Sequence, residues 1–296
     1  MQHAVLIVNP YASSVTEERT AAVGRALARV AEVRTLLTER PRHATELAEA
    51  SSDADAVVVF SGDGGFNEVL NGVRRGSLPL GFVPGGGTSV LPRALGLPRD
   101  PVRAAEQVAD ALGRGRTTTI STGRVNGRRF AFSGGIGIDA AAVRRIDVER
   151  GRSATGARPG DIAFLAAFLR LVAERRARFD PALEIHGHGR AAFLLVANIH
   201  PYSYVKTFAI HIAPEVVFDE GLDFLAPIRV RPHTLPRLVR YVFTGKGRPE
   251  VLRGHDLDRI EVECDEPMPL QADGEDLGDV THAVFEAERR SISVLV

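Results

Sequence analysis

A single acid stands inside a glycine turn at Ser61-Gly62-Asp63-Gly64-Gly65. An unbroken apolar run over residues 56–60 precedes it, and Phe66, Val69, Leu70 and Val73 follow at helical spacing. The pattern is strand, turn, helix. Glycines let a backbone approach a ligand with no Cβ atoms in the way. A helix opening straight out of such a turn aims its free first-turn N–H groups at one point, which is an anion site. Glu68 near the start of the helix and Arg74 and Arg75 near its end suit the helix dipole. A tight connection with no ligand is the alternative reading of this turn taken alone.

Other residues that could do chemistry are few. Pro84-Gly85-Gly86-Gly87-Thr88-Ser89 is a second glycine-rich loop, and Asp273-Gly274-Glu275 is a second acid pair set around a glycine. His186 and His188 alternate as on one face of a strand, but no third metal ligand lies nearby in the sequence. Cys264, the single cysteine, excludes an internal disulfide and fits a packing role in a reducing cytoplasm. Only Lys206 and Lys246 are lysines among 37 basic residues, so phosphate would be handled by arginine, backbone N–H groups or a metal.

The elements that must carry these residues alternate over the first 112 residues. Apolar runs at residues 4–8, 33–37, 56–60 and 80–83 read as strands. Helical stretches at 16–31, 44–50, 66–75, 90–95 and 102–112 separate or follow them, the first capped by Thr16. That alternation predicts a parallel α/β sheet. The polar or glycine-rich loops at 9–14, 38–43, 61–65 and 84–89 all follow the C-terminal ends of strands. Open α/β sheets bind ligands along that edge, so the phosphate reading gains. From about residue 117 short strands dominate, with Asn126-Gly127 and Gly187-His188-Gly189 as hairpin turns. One helix interrupts them at 161–177, with Leu165, Phe168, Leu169 and Val172 on its apolar face. The 151–160 stretch is polar and glycine-rich.

With 296 residues the chain has room for one large or two modest domains, and 44% hydrophobic and 25% charged residues are ordinary for a globular protein. A formal net charge of +0 gives no electrostatic footprint for nucleic acid. No apolar run is long enough to span a bilayer, and the start of the chain has no signal-peptide pattern. A cytoplasmic protein, peripheral at most to a membrane, is expected.

Residues 61–72, Ser-Gly-Asp-Gly-Gly-Phe-Asn-Glu-Val-Leu-Asn-Gly, resemble the nucleotide loop of the diacylglycerol kinase, sphingosine kinase and bacterial lipid kinase family. Four more segments resemble that family in its order: Leu37-Thr38-Glu39-Arg40 with His43-Ala44; Pro84-Gly85-Gly86-Gly87-Thr88 with Arg93-Ala94-Leu95-Gly96-Leu97-Pro98; Gly134-Gly135-Ile136-Gly137-Ile138-Asp139; and Gln271-Ala272-Asp273-Gly274-Glu275. Each is weak singly, and together they span nearly the whole chain.

The resemblance implies an N-terminal three-layer α/β domain like those of phosphofructokinase and NAD kinase, over residues 1–120 with about 287–296 returning to it. A C-terminal β-sandwich over 121–286 would follow, with the active-site cleft between the two. It implies an ATP-dependent lipid kinase using Mg2+ and acting on a lipid alcohol, with transient contact at a membrane surface. Thr38, Gly62, Asp63, Gly64, Gly65, Phe66, Asn67, Glu68, Gly86, Gly87 and Thr88 would line the nucleotide site, and Asn9 matches a first-loop asparagine. Glu275 matches the proton acceptor of bacterial members, with Asp63 the alternative and Asp273 beside it. Asp139 matches an acid that meets the lipid head group, and Glu220, with carbonyls of Val217 and Leu222, a structural Mg2+ site. Arg144, Arg145, Arg152 and Arg158 are candidates to clamp phosphate or an anionic head group. The family usually has threonine at Gly65 and Asn-Asp at Ser89-Val90. A kinase of a soluble alcohol such as NAD, or a relative that binds without transfer, is the competing reading. An exposed edge strand would allow a homodimer.

Overall fold

The computed structural model describes residues 2–74, 76, 78–151, 161–205 and 208–296. In chain order the first elements are β1 (Gln2–Val8), α1 (Glu17–Leu27), β2 (Ala31–Leu37), α2 (His43–Glu49), β3 (Ala56–Ser61), α3 (Asp63–Gly72), β4 (Leu80–Pro84), α4 (Val90–Ala94) and α5 (Pro101–Gly113). Then come β5 (Thr117–Val125), β6 (Arg128–Phe130), β7 (Ser133–Ile136), α6 (Ile138–Gly151), α7 (Asp161–Glu174), β8 (Leu183–Ile185), β9 (Gly189–Ala191) and β10 (Leu194–Ala197). The last are β11 (Ser203–Val205), β12 (Phe208–Ile210), β13 (Leu222–Pro227), α8 (Leu235–Thr244), β14 (Val251–Leu257), β15 (Arg259–Ala272) and β16 (Glu275–Leu295). They form two compact units, Met1–Ser121 with Arg290–Val296, and Thr122–Arg289.

The first unit is α/β. Its strands are parallel, in the order β4-β3-β1-β2, and Val294 near the end of β16 pairs with Leu80 on β4. The run Ala56-Val57-Val58-Val59-Phe60 is at most 1% exposed, as a strand covered on both faces must be. Burying such a side chain contributes about 1.5–3 kcal/mol. Phe66 of α3 meets Phe82 of β4 edge to face at 5.2 Å. The α1 start is capped as its sequence suggests, Thr16 accepting from Arg19 N at 3.2 Å. At α5, Asp100 caps and Pro101 opens the helix. α3 begins at Asp63, three residues before the apolar spacing marks it. It ends at Gly72, so Arg74 lies beyond it, and Arg75 is outside the described residues.

The second unit is mostly antiparallel, with β14-β13-β10-β7-β15-β16 as its main order. Phe130, Ile136, Leu194, Phe224, Leu270 and Phe285 anchor its largest core. β5 and β6 join through Asn126 and Gly127 at φ 46° and 86°, and β8 and β9 through residues 186–188. His186 and His188 therefore stand in a turn, not on one strand face. His186 Nε2 is 3.6 Å from Glu263, and His188 packs on the Phe224 ring at 4.9 Å. The α7 face also differs from expectation: Ala167 and Val172 are buried with Phe164, Phe168 and Leu171, while Leu169 is exposed. Sequence reading places no element between residues 230 and 259, where α8 and β14 lie.

Candidate phosphate-binding turn and buried acid site

In the first unit β1 has β2 on one side and β3 on the other, so the chain reverses direction across the sheet between β1 and β3. The loops leaving those two strands flank a topological switch point, where open α/β sheets place ligands. Asn9 leaves β1 with its N–H on Phe60 O at 3.0 Å, and its Oδ1 accepts from Tyr11 N at 3.0 Å. Gly62 leaves β3 and caps α3, whose first three amides, at residues 63–65, have no i−4 acceptor within the helix. The third glycine loop joins them. Gly85 N donates to Ser61 O at 2.7 Å and Ser14 N to Gly85 O at 2.9 Å, while a Cβ on Gly86 would lie 2.8 Å from Gly62 Cα. Only glycine allows that backbone-to-backbone approach.

Asp63 Oδ1 accepts from Val90 N at 2.8 Å and so tethers the 84–89 loop to the first turn of α3. Ser89 itself is left-handed, at φ 47°. Thr38, 7% exposed, follows β2 with its N–H on Val8 O at 2.9 Å. Gly87 and Gly64 are exposed, and Thr88 is half-buried. Phe66 and Asn67 face inward, and Asn67 accepts from Asn71 through its carbonyl at 2.9 Å. Glu68 turns toward α2: its Oε2 accepts from Ala44 N at 3.2 Å and its carbonyl from Thr45 Oγ1 at 2.9 Å. It couples two helices and is committed to the scaffold.

Gly65 has a local cause. A Cβ there would stand 2.1 Å from Ser61 Oγ and 2.7 Å from Ser61 Cβ, so rotating the serine gives no relief. Ser61 is buried, and its Oγ has no hydrogen-bond partner. The hydroxyl at 61 occupies the space a side chain at 65 would need. Gly65→Thr should therefore cost about 2 kcal/mol by overpacking. In a Ser61→Gly background the same change should cost at least about 1 kcal/mol less. Urea unfolding of the four proteins measures this, and additive losses would refute the exchange of space.

In the second unit Asp139 opens α6 and is 4% exposed. Its Oδ2 accepts from Tyr202 Oη at 2.8 Å and from Gln271 Nε2 at 3.0 Å, while Oδ1 has no partner. A side chain at Gly135 would collide with this carboxyl, at 2.4 Å. Burial raises the Asp139 pKa, against the lowering effect of the Tyr202 and Gln271 hydrogen bonds. Burial and the Asp139 carboxyl push the Tyr202 phenol well above its ordinary value. Gln271 Oε1 accepts from Gly274 N at 2.9 Å, which ties Asp139 to the β15–β16 turn.

That turn is Asp273-Gly274 at φ 49° and 73° between Ala272 and Glu275, a hairpin of the type Asp-Gly favours. Asp273 is 3% exposed, and its carboxylate accepts from Ala131 N, Phe132 N and Ser133 N at 2.6, 2.9 and 3.0 Å. Its role in this geometry is to anchor the turn. Glu275, by contrast, is half-buried, with Oε2 2.5 Å from Arg128 NH2. Arg144 binds Asp276 at 2.8 Å and Asp279 at 2.7 Å, and Arg145 binds Glu174 at 2.9 Å. Both are held by protein carboxylates; Arg152 and Arg158 lie outside the described residues. Tyr202 and Arg128 are the contributors that sequence reading missed.

Elsewhere in this unit Glu220 Oε2 is buried with no hydrogen-bond partner, 3.9 Å from His255 Nε2. The Val217 carbonyl accepts from Glu220 N at 3.4 Å, and Leu222 begins β13. The orphaned carboxylate oxygen fits a cation. Among the described residues no three His, Cys, Asp or Glu side chains converge on a metal position, so Mg2+ here would rest on Glu220, carbonyls and water. His255 Nδ1 is 3.0 Å from both Asp223 oxygens, and that carboxylate raises its pKa.

Residues 3–125 match the family model of the diacylglycerol kinase catalytic domain. A candidate lipid kinase of Streptococcus pneumoniae serotype 4 is 31% identical over 155 residues, 50% of this chain and 51% of that one. The diacylglycerol kinase of Bacillus subtilis is 37% identical over 83 residues, 27% of this chain and 26% of that one. The chain thus aligns with about half the length, or less, of these relatives. In fold it is similar to a candidate diacylglycerol kinase of Bacillus anthracis strain Sterne, with TM-score 0.79 and 20% identity, covering 99% of this chain and 95% of that one. It is also similar to an NAD kinase of Archaeoglobus fulgidus in complex with ATP, with TM-score 0.54 and 15% identity, covering 99% and 93%. The family resemblance read from the motifs and the α/β-plus-β fold are both borne out.

Proposed function

We propose that this chain, with its diacylglycerol kinase catalytic domain, is an ATP-dependent lipid kinase. It would move the γ-phosphate of ATP to a lipid hydroxyl of diacylglycerol, sphingoid or phosphatidylglycerol type. The observation that carries this reading is the α3 start, where a helix N-terminus, an acid and close-packed glycine loops come together at the switch point of a parallel sheet. Backbone N–H groups there suit the polyphosphate of ATP. Mg2+, when bound, supplies charge neutralisation, and Asp63 is the residue that would hold it in this turn. In the second unit the free Oδ1 of Asp139 suits a hydroxyl or ammonium donor on the acceptor's head group. Glu275 takes the acceptor's hydroxyl proton as its oxygen bonds to the γ-phosphorus and the bond from that phosphorus to the bridging oxygen breaks, releasing ADP; Arg128 orients that carboxylate.

One observation favours a second reading, a relative that binds nucleotide without transfer. Asp63 already has one oxygen on Val90 N, and the 84–89 loop brings no acid of its own. The test is transfer of labelled γ-phosphate from ATP with Mg2+ to dispersed lipids and to NAD. Wild type should label a lipid, and Glu275→Gln should fold normally yet lose about 10²–10⁴-fold in turnover, the usual contribution of a general base. Undiminished Glu275→Gln turnover would remove the base assignment. ATP binding without any product would favour the second reading.

A further inference from the structure

Residues 228–249 carry Arg229, Arg231, Arg237, Arg240, Lys246 and Arg248 and no aspartate or glutamate, in a chain whose formal net charge is +0. Arg229 and Arg231 pair with Asp180. Arg237, Arg240, Lys246 and Arg248 are exposed and form no ion pair among the described residues. Arg237 and Arg240 lie on α8, a strongly amphipathic helix, and Lys246 and Arg248 follow just past its end. Leu238, Tyr241 and Val242 pack inward. Pro236, Val239, Arg240 and Phe243, at i, i+3, i+4 and i+7, face out. Val239 is 43% and Phe243 38% exposed. Beside α8 lies β12: His211 N donates to Val242 O at 2.7 Å and Tyr241 Oη to Ile212 O at 3.3 Å. Phe208, which opens β12, is 67% exposed.

Three large apolar side chains thus stand in water on adjoining elements, and cations with no carboxylate partner stand among them. We infer that the face formed by α8 and β12 docks on the surface of an anionic lipid bilayer. Its apolar side chains enter the headgroup layer and its arginines and lysine meet lipid phosphate. A symmetric pairing of two copies through this face would set the Arg237 and Arg240 pair of one copy against that of the other, with Glu250, which lines one pocket with Arg237, as the nearest acid in the sequence. A nucleic acid would use the cations but leave Val239 and Phe243 unexplained. The inference deepens the lipid-kinase reading, on which its purpose rests, and binding alone tests it.

The experiment is co-sedimentation of the full chain, without nucleotide, with vesicles of phosphatidylcholine alone or with about one third phosphatidylglycerol, over a range of salt. Wild type should bind the anionic vesicles, release with salt and bind the neutral ones weakly. Arg237→Gln with Arg240→Gln should lower the partition coefficient about 30-fold, or about 2 kcal/mol for two charges. Val239→Ser with Phe243→Ser should lower it roughly 10-fold. All four positions are exposed, so both variants should melt as wild type does. No wild-type binding, or variants that bind undiminished, would overturn the inference. So would equal binding to heparin that ignores the serine changes, or a serine variant whose only change is its oligomeric state. Phosphate transfer to detergent-dispersed diacylglycerol keeps the two readings apart. Transfer without vesicle binding removes only the docking face, and binding without transfer removes only the kinase.

Discussion

Asp63→Asn should lower phosphate transfer by about 10³-fold or more while moving the melting temperature by only about two degrees. The amide keeps an oxygen that can accept from Val90 N, so the tether between the first turn of α3 and the 84–89 loop survives. What it removes is the negative charge, which the proposed cation-holding role requires. Asp63→Ala removes both. It should lose the same activity and, in addition, about 1–2 kcal/mol of stability, as when the acceptor for an orphan amide is deleted. The pair therefore separates two roles that one carboxylate combines. If Asp63→Asn keeps transfer within about tenfold of wild type while Asp63→Ala loses it, the residue is a tether and its charge is dispensable. Steady-state transfer rates and thermal melts of the three proteins decide this.

The strand–turn–helix was legible because its signals are local. The run 56–60 is short, wholly apolar and rich in valine, which suits a covered strand, and the glycines at 62, 64 and 65 mark the turn that ends it. The start of α3 was less so, because Asp63, Gly64 and Gly65 lie in its first turn and carry no apolar signal. α8 was hidden for a stronger reason. Its Leu-Pro-Arg-Leu-Val-Arg-Tyr-Val-Phe-Thr is rich in β-branched and aromatic residues, and helix formation there follows from packing against two cores. The exchange of space between Ser61 and Gly65 was visible as a departure from the family pattern, but its cause was not, since only the fold puts Ser61 Oγ under residue 65.

Partners distant in sequence were the least legible part of the candidate site. Arg128 meets Glu275 across 147 positions, and Tyr202 meets Asp139 across 63. Nothing in a single chain announces such pairs, because both members are common residue types and their meeting is a property of sheet order. Asp273 shows the converse. As an acid in an acidic motif it looked fit for proton chemistry, yet three backbone donors claim its carboxylate. The motif's acids divide by environment: Asp273 is buried and holds the turn, while Glu275 is half-buried and pairs with Arg128.

Asp139→Asn should make the protein more stable at neutral pH and a poorer enzyme. The carboxyl is buried with its pKa raised, chiefly by loss of hydration. The linkage sign follows. Below the ordinary aspartate pKa the group is protonated in both folded and unfolded chains and costs nothing. As pH rises from there to the raised folded value, the unfolded chain releases a proton that the folded one keeps, so wild type loses stability relative to the variant. The melting-temperature gap between Asp139→Asn and wild type should thus be near zero in strong acid, open as pH rises, and then level off. Asparagine retains one oxygen for Tyr202 and Gln271, so the local network survives. What the variant forfeits is a carboxyl oxygen free to accept from the acceptor lipid, Oδ1. Leaving a buried donor of the lipid without an acceptor costs about 1–3 kcal/mol, so kcat/KM for the lipid should fall about 10- to 100-fold, with ATP affinity unchanged. A purely structural acid would show the stability change alone. Melts across pH together with kcat/KM for lipid and ATP binding separate the outcomes. Stability gained with full activity would mean that Asp139 does not meet the acceptor, and stability lost at neutral pH would mean that a partner offsets its burial.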